Sequence, residues 1–201
     1  MGVEIEKKFT VKEIPFDLEK YPFHDIEQGY LNVHPAIRVR REDDIYYMTY
    51  KGNVSPKGID CFEAGDTSGN NNRYADAHSA NDRIGQTEYN MPLDKESYEN
   101  LAKKADGNVI RKRRYLIPLN EDAYSSDYLE KDPSTKRALE SGNMKIELDV
   151  FKAPFDGRIL AEVEFPSEEA ARNYKPADWF YEDVTGDRRY SNSQMSTEKI
   201  I

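Results

Sequence analysis

The chain opens with alternating apolar and polar residues. Between residues 3 and 10, Val3, Ile5 and Phe9 fall on one side, and the polar positions between them fall on the other, with Lys7 as the exception. A period of two predicts a β-strand with one apolar face. Similar segments rich in β-branched and aromatic residues predict further strands at 28–33, 36–41, 45–51, 88–91, 109–119, 145–151 and 159–165.

Two segments have the pattern of capped helices. Asp94 precedes an apolar stripe that includes Tyr98 and Leu101, which predicts a helix over 94–104. Ser167 precedes two glutamates and predicts a second helix over 167–174. Residues 121–141 are acidic and irregular, and we expect one helical turn there, near 135–139.

These elements predict an α+β fold within a single domain spanning 1–201. Most of the eight strands are joined by short turns, which favours antiparallel pairing, and closure into a barrel would leave no open sheet edge. We therefore expect a closed eight-stranded antiparallel β-barrel forming a tunnel, with a few peripheral helices. Residues 53–86 have little periodicity and several Gly and Asn residues, and are predicted to form a flexible insertion.

Charged residues occupy one face of six predicted strands, and their signs are segregated by strand. A single strand of this kind usually has a solvated outer face, but an ordinary solvent face mixes signs. If these faces point into the barrel, ligands must neutralise the buried charge. Carboxylates suit hard divalent cations, and arginine suits phosphate. The acids are Glu4, Glu6, Glu147, Asp149, Glu162 and Glu164, and the bases are Lys8, Arg38, Arg40, Lys51, Lys112 and Arg114.

Composition restricts the classes of partner. The net charge of −9 argues against general nucleic-acid binding. No apolar run approaches the roughly 18 residues that a membrane-spanning helix needs, and residues 1–9 are too charged for a signal peptide. The chain is expected to be a soluble cytoplasmic monomer or homodimer without membrane or nucleic-acid partners. The three histidines are expected at the surface, and Cys61 is expected to have no catalytic role.

Six motifs, taken together, resemble the triphosphate tunnel metalloenzymes, also called the CYTH superfamily, and in particular their small bacterial tripolyphosphatase-like members. The first is Glu4-x-Glu6-x-Lys8, and the tail over 184–192 is also similar to these members. The other five motifs lie at 37–40, 49–52, 110–115, 147–151 and 161–165.

The resemblance implies a tunnel enzyme that uses Mg²⁺ or Mn²⁺. It implies that Glu4, Glu6, Glu162 and Glu164 hold metal, with Glu147 and Asp149 in support, and that the six bases bind substrate phosphate. The implied reaction is hydrolysis of inorganic tripolyphosphate, of nucleoside triphosphates or of both, by direct attack of water. Catalytic roles are expected for Glu6 and for Lys8 or Lys112, either of which could assist the leaving phosphate.

Three alternatives remain open. Class IV adenylate cyclase and thiamine triphosphatase use the same fold, and a non-catalytic polyphosphate- or nucleotide-binding module is the third. Gln86 stands where such family members have an arginine, and the long segment before it departs from their pattern. Arg83 is a candidate substitute for that base, and Tyr190 and Asn192 are candidates to close one end of the tunnel.

Overall fold

The fold is dominated by one antiparallel sheet. A computed structural model describes residues 2–52 and 85–200. Within these ranges the sheet has nine strands in the order β5-β4-β3-β2-β6-β7-β8-β1-β9. The strands are β1 (Gly2–Val11), β2 (Phe23–Val33), β3 (Ala36–Glu42), β4 (Ile45–Gly52), β5 (Gly85–Leu93), β6 (Asp106–Pro118), β7 (Lys145–Phe151), β8 (Ile159–Phe165) and β9 (Phe180–Asp183).

Strand β1 has three neighbours. Ile5 pairs with Phe165 of β8 and with Gly85 of β5, so β8 and β5 lie on opposite edges of β1. Phe9 pairs with β8 and with Asp183 of β9, which places β9 on the same edge as β5, towards the other end of β1. The predicted count of eight strands was wrong because β9 has only four residues, too few to show an alternation. The α+β class, a mostly antiparallel sheet with few helices, is confirmed.

Five short helices accompany the sheet in the described ranges. The predicted helices at 94–104 and 167–174 are confirmed, with Asp94 and Ser167 as their N-caps. The helical turn expected near 135–139 lies within a longer helix, and the expectation of an otherwise irregular 121–141 was wrong because a second helix forms there. None of the described helices is long and apolar enough to cross a membrane. The helices are α1 (Lys95–Ala102), α2 (Ser126–Lys131), α3 (Pro133–Glu140), α4 (Glu168–Asn173) and α5 (Asn192–Ser196).

Apolar side chains form two clusters on opposite faces of the sheet. The larger, which we call the outer core, includes Phe9, Leu148 and Val163, together with Ala170 of α4. The smaller, which we call the inner core, is built from residues of the opposite strand parity and from the loops and α5. Its members are Tyr30, Ile110, Phe151, Phe155, Leu160 and Met195. The inner core fills part of the sheet's inner face, and charged side chains occupy the rest.

Most of the predicted insertion lies outside the described residues. Of residues 53–86, only 85 and 86 are described, and they begin β5. Arg83, His78 and Cys61 also lie outside the described ranges.

Candidate functional site

The inner face of the sheet surrounds a cavity of about 810 Å³. Ten of the twelve charged side chains singled out from the sequence line it, which places the charged strand faces towards the cavity. These ten are Glu4, Glu6, Lys8, Arg38, Arg40, Lys51, Arg114, Glu147, Glu162 and Glu164. The other two, Lys112 and Asp149, are fully buried behind the lining.

The register of the strands groups the acidic and the basic side chains on different sides of the cavity. Glu147 of β7 lies opposite Glu162 of β8, and Glu162 lies opposite Lys8 of β1. On the other flank, Arg114 of β6 lies opposite Asp149. Because side chains alternate between the faces of a strand, each of these strands contributes its whole charged set to the same side. An acidic wall from β1, β7 and β8 therefore meets basic side chains from β3, β4 and β6.

Arg114 is the hub of the ion pairs. Its Nε and Nη2 atoms each lie 2.7 Å from an oxygen of Asp149, and Nη2 lies 2.6 Å from Glu162 Oε2. Its Nη1 atom also donates to Glu147. Although burial acts to lower its pKa, Asp149 and Glu147 raise the pKa of Arg114 well above its ordinary value. Arg114 therefore ties β6 to β7 and β8 and carries a fully compensated charge.

Lys112 and Asp149 form a buried pair directly behind this hub. Lys112 Nζ donates to Asp149 Oδ2, and the two side chains are 0% and 1% exposed. Burial, followed by the nearby Arg114 cation, lowers the pKa of Lys112 to about 8. Lys112 thus lies behind the cavity wall, where it contacts Asp149.

The two other lysines of the set contact acids in the cavity. Lys8 Nζ lies 2.7 Å from Glu162 Oε1. Lys51 Nζ lies 2.5 Å from Glu4 Oε2 and 3.5 Å from Glu6 Oε1. Burial acts to lower the pKa of each lysine, but Glu162 and Glu6 raise that of Lys8, and Glu6 and Glu4 raise that of Lys51. Both side chains therefore remain cationic.

Negative charge is in excess at one rim of the cavity. Glu164 is exposed there, but desolvation by the surrounding protein, followed by the charges of Glu147 and Glu4, raises its pKa to about 8. Burial and the charges of Glu162 and Asp149 likewise raise the pKa of Glu147, against the effect of Arg114. These carboxyl groups repel one another, and a cation placed among them would relieve the repulsion.

The acids are not arranged as a ready metal-ligand set. Within residues 2–52 and 85–200, no group of three or more His, Cys, Asp or Glu side chains has that arrangement. The reason lies in the ion pairs, since Glu162, Asp149 and Glu4 each contact a lysine or arginine. Their carboxylate oxygens are nevertheless the donors that Mg²⁺ and Mn²⁺ prefer.

The arginines of β3 have weaker contacts with acids. Arg38 Nη2 lies 3.7 Å from Glu88 Oε2, and the buried Arg38 Nε has no hydrogen-bond partner among the described residues. Arg40 lies 3.9 Å from Glu42, and its hydrogen bonds go to the neutral side chains Gln28 and Tyr47. Arg38 and Arg40 therefore present charge that an anion could compensate.

Several lining residues were missed by the sequence analysis. Glu88 of β5 lies between Arg38 and Lys51, and its Oε2 atom makes no hydrogen bond within the described ranges. Its place at the start of a predicted strand of four residues, directly after the aperiodic segment 53–86, gave no alternation that could assign it a face. His24 and His34, expected at the surface, lie at the rim of the cavity.

The tail forms part of the same lining. Asn192, a candidate to close the cavity, does line it, whereas Tyr190 packs against the inner core. The other tail residues on the lining are Arg188, Ser191, Ser193 and Gln194.

Comparison with known proteins gives two curated relatives that match nearly the whole chain. The inorganic triphosphatase of Nitrosomonas europaea is 28% identical over 197 residues, covering 96% of each chain. The inorganic triphosphatase of Acetivibrio thermocellus is 29% identical over 198 residues, covering 97% of this chain and 94% of the relative. The resemblance to tripolyphosphatase-like CYTH proteins is confirmed.

A solved structure supports the same similarity. A crystal structure of an inorganic triphosphatase is 26% identical, with a TM-score of 0.58, and the match covers 99% of this chain and 97% of that one. No protein-family model matches the chain.

Proposed function

We propose that this protein hydrolyses inorganic triphosphate to orthophosphate and pyrophosphate, with the help of a divalent cation. The observation that carries the proposal is the cavity, in which an acidic wall faces two arginines, Arg38 and Arg40, whose contacts with acids are weak. Similarity over nearly the whole chain to two inorganic triphosphatases supports it. The proposal includes closure of eight strands into a tunnel, supported by the pairing of β5 with β1.

The basic side chains would hold the phosphate chain. Arg38 and Arg40 offer planar donors suited to phosphate oxygens, and Lys51 adds a charge beside them on β4. A triphosphate placed there would take over the interactions that Lys51 and Arg38 make with Glu4 and Glu88. Binding would therefore exchange ion pairs within the protein for ion pairs with the substrate, and the displaced Glu4 would be available to a cation.

The carboxylates of the acidic wall fit a divalent cation, because their oxygens are the donors that such a cation prefers and because the carboxylates lie close together. Glu4, Glu6, Glu162 and Glu164 would hold it, with Glu147 in support. Bound Mg²⁺ or Mn²⁺ would offset the charge of the phosphate oxygens and lower the pKa of the attacking water. Asp149, between Lys112 and Arg114, would support the site by fixing these two cations.

Lys8 is the better placed of the two candidate lysines to assist the leaving group. It lines the cavity, whereas Lys112 does not. Water would attack the terminal phosphorus, the bond from that phosphorus to the bridging oxygen would break, pyrophosphate would leave with the electron pair, and the proton lost by the water would pass to a released phosphate or to solvent. Phosphoryl transfer depends mainly on positioning and on charge neutralisation, and Lys8 would supply positive charge where the leaving oxygen becomes negative.

The test measures phosphate release from inorganic tripolyphosphate with Mg²⁺, with Mn²⁺ and with EDTA. We expect turnover with metal and none in EDTA. Glu6→Gln and Arg40→Ala should each reduce kcat/KM by about 100-fold or more, as removal of a charged group from such a site commonly does.

The matched controls are Glu168→Gln and Arg172→Ala on α4, whose side chains are 44% and 64% exposed and which should retain wild-type rates. Full activity of Glu6→Gln or Arg40→Ala, or full activity in EDTA, would contradict the proposal. Chromatography of the products from ATP, and competition with thiamine triphosphate, separate hydrolysis of inorganic triphosphate from the cyclase and thiamine triphosphatase alternatives.

A further inference from the structure

Arg114 and Arg40, two arginines on the inner face of the sheet, are held in different ways. Arg114 contacts three carboxylates. Arg40, which is also buried, makes its hydrogen bonds to two neutral groups. Within the described residues, the ion pair of Arg40 is with Glu42, at a distance of 3.9 Å from Nη1 to Oε2.

Gln28 fixes one side of the Arg40 guanidinium. Gln28 Oε1 accepts a hydrogen bond from Arg40 Nε at 2.9 Å, and Gln28 itself is fully buried at 0% exposure. Gln28 Nε2 donates to Tyr30 Oη at 3.3 Å, so both ends of the amide have partners. Only the amide oxygen can accept from Nε, and this arrangement therefore fixes the orientation of Gln28 as well as that of Arg40.

Tyr47 fixes the other side. Its hydroxyl oxygen accepts from Arg40 Nη1 at 3.0 Å and donates to Glu42 Oε2 at 2.6 Å. Because the Tyr47 proton is committed to Glu42, the oxygen presents its lone pairs to Arg40. Glu42 thus acts on Arg40 through a neutral hydroxyl.

We propose that Gln28 and Tyr47 are positioning residues that hold Arg40 in place for a phosphate group without neutralising it. The inference rests on the proposed function, since it takes the ligand of Arg40 to be a phosphate of the substrate. Arg40 keeps its remaining donors on Nη1 and Nη2 for that ligand, and the described part of the chain offers Nη2 no hydrogen bond. A carboxylate in place of either neutral group would compete with the substrate for the same charge.

If Gln28 and Tyr47 act through Arg40, the affinity for tripolyphosphate should depend on these two residues only while Arg40 is present. Gln28→Met keeps the length of the side chain but removes the acceptor, and Tyr47→Phe keeps the ring but removes the hydroxyl. Each variant should weaken binding of tripolyphosphate by about 10-fold, the usual effect of losing one hydrogen bond to a charged group. In an Arg40→Met background, the same substitutions should change the affinity by less than about 2-fold.

The experiment measures the Kd of inorganic tripolyphosphate by calorimetry in EDTA, so that neither metal nor turnover enters the result. A defect in folding alone would lower affinity with or without Arg40, and the double-mutant comparison separates that case. Tyr46→Phe is the matched control, because Tyr46 lies next to Tyr47 on the outer face, where it contacts Tyr98.

Three results would overturn the inference. The first is an unchanged Kd in both Gln28→Met and Tyr47→Phe, and the second is an equal loss of affinity in the Arg40→Met background. The third is the absence of tripolyphosphate binding to the wild-type protein in EDTA. Failure of the proposed function is distinguishable, because it would appear as tight binding that depends on Arg40 but no phosphate release with Mg²⁺ or Mn²⁺.

Discussion

Individual charged residues of the site differ in what they would contribute to substrate binding, although they look alike in the sequence. Lys112 and Arg38 are both basic residues of alternating strands. Lys112 is paired with Asp149 and fully buried, whereas Arg38 faces the cavity with a donor atom, Nε, that has no partner in the described part of the chain. The role of a charge in this site is therefore set by its partner across the sheet.

Asp149 provides a test at this scale. Asp149→Asn removes the carboxylate between Lys112 and Arg114 and leaves two buried cations with less compensation. Removing one partner of a buried ion pair costs about 3–5 kcal/mol. We expect the free energy of unfolding to fall by an amount in that range, measured by urea denaturation at neutral pH.

Asp156→Asn is the control for Asp149→Asn, because Asp156 is exposed and the chemical change is the same. Its effect should stay within about 0.5 kcal/mol. A similar loss in the two variants would show that Asp149 does not hold the buried cations.

Sequence alone predicted which side chains face the cavity but not how they pair. Alternation in β1, β7 and β8 assigned Glu6, Glu147 and Glu162 to one face, because a strand has a fixed period of two. Gln28 and Tyr47 gave no signal, since a neutral side chain at an inward position does not differ from a surface residue until its partner is known.

At the scale of elements, Asp132 joins two helices, of which the sequence predicted only a single turn near 135–139. It ends α2 and is the N-cap of α3, where its carboxylate accepts from the backbone N–H groups of Ser134 and Thr135. It also accepts from the hydroxyls of Thr135 and Tyr128. With six and eight residues, the helices are too short to show a helical period, and the polar sequence of this segment concealed them.

Replacement of this cap tests its contribution. Asp132→Ala removes all these acceptors and should lower the free energy of unfolding by about 1–2 kcal/mol, as loss of an N-cap does. The measurement is urea denaturation, with Glu130→Ala, an exposed change on α2, as the control. A loss no larger than that of Glu130→Ala would contradict the assignment.

At the scale of the whole molecule, the inner core connects α5 to the sheet. Met195 of α5 is fully buried among Ile110, Phe151 and Leu160. Gly107 of β6 allows this approach: it has a φ of +77°, and a Cβ atom there would lie 2.1 Å from the carbonyl oxygen of Ser196. The tail and the sheet therefore fit together only with glycine at this position.

Gly107→Ala should displace α5 and destabilise the protein. Gly157→Ala is the matched control, because Gly157 has a φ of +86° and no atom of residues 2–52 or 85–200 lies within 4 Å of the added Cβ. Both changes should cost about 1–2 kcal/mol of backbone strain, and Gly107→Ala should cost more because of the backbone contact. We expect faster proteolysis near α5 in Gly107→Ala alone, and equal rates in the two variants would contradict this account.

The sequence predicted the sheet but not its complete topology. Local alternation identifies strands, whereas β9 and the pairing of β1 with β5 depend on contacts between distant segments. No local pattern around Phe180–Asp183 predicts these contacts. A strand of four residues is specified mainly by the sheet edge with which it pairs, here that of β1.

The three neighbours of β1 also bear on how the protein folds. The Lys8 N–H donates to Thr185 Oγ1, 177 positions along the chain, and the partners of β1 in β8 and β9 are almost as far away. Closing such long loops costs entropy before any contact compensates for it, so strands with distant partners join slowly. During synthesis, β1 emerges long before β8 and β9 exist. The acidic wall to which Glu4 and Glu6 belong is therefore completed only in the last stage of folding.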